Sequence, residues 1–169
     1  MFKTFGYDNV AVLDGGLPDW LDNDYETETG FDSEYEQGDF KATLNPERVK
    51  DYDFVCANIT NENELLIDAR SAGRFNDTEP EPRKGLRGGH IPNSVSLPYT
   101  EVLENGKFKS VEELNKVFAE LKKEKRPFVF TCGSGITACI IQLASEMVME
   151  HPSSMYDGSW TEFALKEQP

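Results

Sequence analysis

The stretch Cys132-Gly133-Ser134-Gly135-Ile136-Thr137 gathers a thiol, two glycines and two hydroxyls within six residues. A β-branched and aromatic run, Phe128-Val129-Phe130, leads into it, and a largely apolar pattern over residues 136–149 follows. That order reads as a strand, a tight loop and a helix N-terminus, with the thiol at the corner. Backbone N–H groups and the helix dipole at such a corner favour a thiolate, which is the nucleophilic form of cysteine. The glycines let the backbone curl around a bound sulfur or anion without a clashing Cβ. The competing reading is a buried structural cysteine. A loop thiol flanked by glycines fills no core, so the reactive reading is preferred.

A second constellation is basic. Arg70, Arg74, Arg83, Lys84 and Arg87 fall on or beside the irregular stretch 71–89 of an otherwise acidic chain. A guanidinium forks onto a carboxylate through two parallel hydrogen bonds, so these arginines suit an anionic ligand, against the alternative of a solvated basic loop. Asp68 closes the apolar run Leu65-Leu66-Ile67. His90, in Gly89-His90-Ile91-Pro92, invites a general-base reading, in place of which the family resemblance given below implies a structural one.

The elements that must position these residues alternate. Strands are expected at 64–68, 95–97, 128–131 and 154–157, with an opening strand at 40–43. Helices are expected from Asn45-Pro46 through Cys56, from the capping box at Ser110 and Glu113 to about Lys123, over 136–149, and from Trp160. Alternation of this kind means an α/β fold with a parallel sheet and right-handed crossovers.

Composition narrows the function. A net charge of −14 argues against nucleic acid and anionic membrane as partners. No apolar run is long enough to span a bilayer, and the start of the chain has no signal-peptide pattern. Three cysteines (Cys56, Cys132, Cys139) and two histidines lack zinc-site spacing, so neither metal nor cofactor is expected. The odd cysteine count implies free thiols in a reducing compartment, the cytoplasm.

The loop Cys132 to Thr137, followed by Ala138-Cys139, resembles the active-site loop of the rhodanese superfamily. Its uncharged Gly133-Ser134-Gly135 is most similar to the mercaptopyruvate sulfurtransferases; thiosulfate-preferring members carry basic residues there. Gly73-Arg74-Phe75 and Glu79-Pro80-Glu81-Pro82-Arg83 extend the likeness. The resemblance implies a central parallel sheet of about five strands flanked by helices, with residues 39–169 as the catalytic domain. It implies that Cys132 takes a sulfane sulfur from 3-mercaptopyruvate or thiosulfate as a persulfide and passes it to a thiol, thioredoxin among them, or to cyanide. Arg74 and Arg83 would hold the donor's carboxylate. Gly133, Gly135, Ile136 and Thr137 would frame the bound sulfur with backbone N–H groups, and Ser134 would relay a proton.

Met155-Tyr156-Asp157-Gly158-Ser159-Trp160 also parallels Val12-Leu13-Asp14-Gly15-Gly16-Leu17, 143 residues apart. Such an offset fits two homologous domains. Residues 9–13 are therefore expected to be a buried strand, and residues 1–29 the last strand and helix of a first rhodanese-like domain that is otherwise missing, with 30–38 as the linker. In the resembled enzymes the histidine and aspartate that assist the serine come from that first domain, so slow turnover is expected of this chain alone. Two rivals are weighed, and the first is rejected. A phosphatase of related fold needs an arginine closing the loop, and Ala138 stands there instead. A sulfur carrier or partner-binding module without turnover is the alternative that stays open.

Overall fold

The computed structural model describes residues 1–30 and 36–166. Residues 31–35, the middle of the expected linker, lie outside the described residues, as do residues 167–169.

Five parallel strands form the central sheet: β1 (Val49–Lys50), β2 (Leu65–Asp68), β3 (Ser94–Ser96), β6 (Phe128–Thr131) and β7 (Ser153–Tyr156), in the order β1-β7-β6-β2-β3. A short antiparallel pair, β4 (Leu103–Glu104) and β5 (Lys107–Phe108), stands apart. Apolar side chains leave the central strands on both faces, as a parallel sheet covered by helices on each side requires. Leu65, Ile67, Phe128 and Phe130 face Leu114 of α4 (Val111–Val117) and Ala138, Ile141 and Ala144 of α5 (Thr137–Glu146). Leu66, Val129 and Tyr156 face Val55 of α2 (Tyr52–Asn61) and Trp160, Phe163 and Ala164 of α6 (Ser159–Lys166). Among the described residues, no helix is long and apolar enough to cross a membrane.

The register places the chemistry. Asp68 pairs with Thr131 across β2 and β6, so Cys132 and Arg70 leave the same carboxyl edge of the sheet. In open α/β sheets that edge is where ligands bind.

Several sequence expectations change. Asn45-Pro46 opens a 3₁₀ turn, Pro46–Arg48, and not a helix to Cys56. Val49 and Lys50 then extend to pair with β7, and Asp51 caps α2 through the Phe54 N–H at 2.8 Å. The helix after Ser110 carries the expected capping box but stops at Val117, yielding to a 3₁₀ turn at Leu121–Lys123. Residues 40–43 form no strand; instead Thr43 N–H donates to the Phe5 carbonyl at 3.0 Å and Asn45 N–H to that of Thr4 at 2.8 Å.

The expected strand at 9–13 is absent too. That segment runs without secondary structure, and Val12 and Leu13 are 66% and 58% exposed. An extended segment with no neighbouring strand has no ladder to join. The following turn and helix do occur, as α1 (Gly16–Asp22). Asp14 accepts from Phe108 N–H at 2.9 Å and Asp19 pairs with Lys107 at 2.7 Å, which pins this segment to β5.

Candidate active site

Residue 132 begins where β6 runs out. Its backbone curls through Gly133, Ser134 and Gly135 and enters α5 at Thr137. Gly135 is the position that only glycine suits: its φ is +80°, and a Cβ there would lie 2.7 Å from Asp157 Oδ1. No side chain caps α5, so its first amides stay available. The Cys132 sulfur uses them. Burial pushes its thiol up, but the Thr137 hydroxyl and the N–H groups of Ser134, Ala138 and Thr137 all favour the thiolate, and together they hold Cys132 below the ordinary thiol range. Cys139 is the contrast. Partial covering of its sulfur raises that thiol above the ordinary range, and its Sγ bonds the Gly135 carbonyl at 3.3 Å. Cys56 sits in α2, packed against the core.

Cys132 is 2% exposed and lies in a cavity of about 270 Å³. The cavity collects Gly133, Ser134, Ile136, Thr137, Arg74 and Arg83 with Cys132. Seven of the eight residues singled out by sequence therefore converge. The eighth, Gly135, is buried behind the loop and does not line it. Ser134 and Ile136 are exposed at the rim. Neither histidine lines the cavity: His90 stacks on Phe75 at 4.0 Å with Nδ1 3.0 Å from the Phe75 carbonyl, and His151 Nε2 is 2.7 Å from that of Arg126. Among the described residues, no three His, Cys, Asp or Glu side chains cluster as a metal site.

The arginine loop is not loose. Arg70, fully buried, donates from Nε and Nη2 to the Asp68 carboxylate, from Nη1 to Glu81 at 2.8 Å and from Nη2 to the Gly89 carbonyl at 2.8 Å. Its guanidinium also covers the Trp160 ring at 4.6 Å. Glu81, itself buried, accepts in turn from Arg74 Nε at 3.2 Å and Nη2 at 2.6 Å. A buried chain of alternating charge, Asp68–Arg70–Glu81–Arg74, thus runs from the sheet edge to the cavity. Each charge has a partner, which burial of charge demands. Arg74 reaches the cavity with one edge of its fork engaged by Glu81. Arg83 donates Nη1 to Thr161 Oγ1 at 3.1 Å, and its Nε and Nη2 have no protein partner among the described residues.

Sequence reasoning missed the residues that hold the loop from α6. Ser159 Oγ, fully buried, accepts from Cys132 N–H at 3.3 Å and Gly135 N–H at 3.0 Å, and donates to the Tyr156 carbonyl at 3.0 Å. Trp160 N–H reaches the Cys132 carbonyl at 2.9 Å. Thr161 gives both its N–H, at 3.1 Å, and its hydroxyl, at 2.5 Å, to the Gly133 carbonyl. The loop amides are therefore divided: those of Cys132 and Gly135 serve Ser159, and those of Ser134, Thr137 and Ala138 are left for sulfur. The available signal is the Asp157-Gly158-Ser159 repeat, which in sequence marks a domain ending and in the fold anchors the loop.

A thiol held toward the thiolate in a parallel-sheet loop of this form has relatives. Residues 53–166 match the model of the rhodanese-like domain. The chain belongs to the rhodanese family. It is 42% identical over 171 residues to the 3-mercaptopyruvate sulfurtransferase of Mus musculus, covering all of this chain and 57% of that protein. It is 40% identical over 172 residues to the thiosulfate sulfurtransferase of Rattus norvegicus, again over all of this chain and 58% of the relative. The crystal structure of SseA from Escherichia coli, described as a 3-mercaptopyruvate sulfotransferase, superposes with a TM-score of 0.78 at 35% identity over 95% of this chain and 60% of SseA. The chain thus spans under two thirds of the length of these rhodanese relatives.

Proposed function

We propose that this rhodanese domain is the sulfur-accepting half of a 3-mercaptopyruvate sulfurtransferase, with Cys132 as the residue that carries the sulfur. The observation that carries the reading is the Cys132 sulfur itself: a buried thiol held toward the thiolate by three amides and a hydroxyl, in a cavity shared with two arginines.

The Cys132 thiolate attacks the sulfur of the donor. The S–S bond forms as the C–S bond of 3-mercaptopyruvate breaks, the electron pair leaves on carbon, and the resulting enolate takes a proton to become pyruvate. Cys132 then holds a persulfide, whose charge falls on the amides of Ser134, Thr137 and Ala138. An acceptor thiolate or cyanide attacks the outer sulfur and releases the Cys132 thiolate. Arg83, with two donors unspent, takes the donor's carboxylate, and Arg74 adds its remaining Nη1. Ser134, exposed at the rim, is the proposed proton relay between the site and solvent. A reducing compartment such as the cytoplasm keeps Cys132 reduced.

The duplicated Asp-Gly signature supports reading residues 1–29 as the end of a preceding rhodanese-like domain and residues 39–169 as the catalytic one. The uncharged Gly133-Ser134-Gly135 loop supports mercaptopyruvate over thiosulfate as donor.

The test is direct. After incubation with 3-mercaptopyruvate, peptide mass spectrometry is expected to find one added sulfur on the Cys132 peptide. Added sulfur on Cys139 or Cys56 with Cys132 unmodified refutes the assignment.

A further inference from the structure

We infer that Thr161 is a specificity-determining residue, which aims Arg83 at the donor and so selects a carboxylate-bearing donor; this rests on the reading of Arg83 given above. Thr161 lines the Cys132 cavity and is half-buried, whereas Arg83 is exposed and leaves the sheet on a long loop. The Thr161 hydroxyl has one proton, and it is spent on the Gly133 carbonyl at 2.5 Å. The oxygen can then only accept on its remaining side, and the group there is Arg83 Nη1 at 3.1 Å. A guanidinium that is exposed and untethered samples many rotamers; one such bond fixes which edge of the fork faces the cavity. Because the same hydroxyl is fastened to the loop that carries Cys132, the distance between carboxylate site and sulfur nucleophile is set through a single oxygen atom. Arg74 is aimed differently, through Glu81, and does not depend on Thr161.

Thr161 acts on the donor through Arg83, so removal of its hydroxyl is expected to weaken capture of a carboxylate selectively, on top of any change in the loop that every donor shares. Thr161→Val keeps the volume and the β-branch while removing the oxygen. The readout is single-turnover formation of the Cys132 persulfide as a function of donor concentration, with 3-mercaptopyruvate and with thiosulfate. For Thr161→Val the half-saturating concentration of 3-mercaptopyruvate is expected to rise about 5–20-fold and that of thiosulfate less than about twofold, while loss of the hydroxyl's bond to the Gly133 carbonyl lowers the limiting rate by the same factor with both donors. Thr161→Ser, which retains the hydroxyl, is expected to restore the wild-type curve. In an Arg83→Ala background Thr161→Val is expected to add nothing to the half-saturating concentration of 3-mercaptopyruvate, the mark of a coupled pair. Equal rises in the half-saturating concentration of both donors, a fall in the limiting rate alone, or additivity with Arg83→Ala in the half-saturating concentration would each overturn the inference. If Arg83→Ala raises the half-saturating concentration while Thr161→Val does not, this inference fails and the function stands. If Arg83→Ala itself changes nothing, the carboxylate role of Arg83 fails, and this inference with it.

Discussion

Replacing Ser159 separates the anchoring of the catalytic loop from the stability of the fold. Its Oγ accepts two N–H groups, both in buried surroundings, and its own backbone sits at φ +53°, in the left-handed region. Ser159→Ala leaves two buried donors unsatisfied, each costing about 1–3 kcal/mol, so about 2–6 kcal/mol is expected. Ser159→Gly makes the same loss but relieves the left-handed strain of a residue with a Cβ, worth about 1 kcal/mol. The glycine variant should therefore unfold in urea at a higher midpoint than the alanine variant. Both should lose loop geometry equally, because both lack the acceptor. The amides of Ser134, Thr137 and Ala138 then converge less well on sulfur, and the Cys132 thiol should rise toward the ordinary range in both variants, by the same amount. Thiolate absorbance against pH measures the titration and urea melts measure stability. If the Cys132 titration stays at its wild-type position in the glycine variant, or tracks the stability difference between the two variants, the anchoring argument fails.

Three further outcomes follow from the same geometry. Thr137→Val removes the hydroxyl that most favours the Cys132 thiolate, so the titration should move up and the rising limb of the pH–rate profile for persulfide formation should shift to higher pH, the thiolate fraction at neutral pH falling. Arg83→Ala should weaken 3-mercaptopyruvate more than Arg74→Ala in donor-titration assays, because Arg74 already spends one edge on Glu81; a partly exposed bidentate pair is worth roughly 1.5–3 kcal/mol, or about 10–150-fold. Gly135→Ala must place a methyl against Asp157 at a positive φ, and should abolish persulfide formation on Cys132, read by mass spectrometry, while circular dichroism keeps the native helix content.

Much of this was legible in residue order. The apolar runs at 65–67 and 128–130 are fully buried strands whose parallel arrangement the alternation of elements already implied, and the strand–glycine–helix corner marked where the thiol sits. Seven of eight site residues meet in one cavity because a single loop supplies five of them and the adjacent strand exit supplies the arginines. What was not legible came from pairing across distance. Val49 and Lys50 became a strand only because β7 offers a partner. Residues 9–13 look like a buried strand by type and have no ladder to join. Glu81 was noticed as part of a loop motif, but its burial between two arginines depends on Asp68 having already taken Arg70. Ser159 and Thr161 carry hydroxyls that propensity ignores, and their role appears only when α6 packs beside a loop 24 to 28 residues upstream.

That last packing has a kinetic meaning. Five hydrogen bonds pass from Ser159, Trp160 and Thr161 to the Cys132 loop, and all are long-range in sequence. Contacts of that kind form late, after the entropy of closing the intervening chain has been met. A nascent chain extended through α5 has the thiol, the glycines and the helix start, yet nothing to hold the loop in the shape that gathers its amides. The amides that hold Cys132 toward the thiolate are thus expected to be gathered only once α6 has docked.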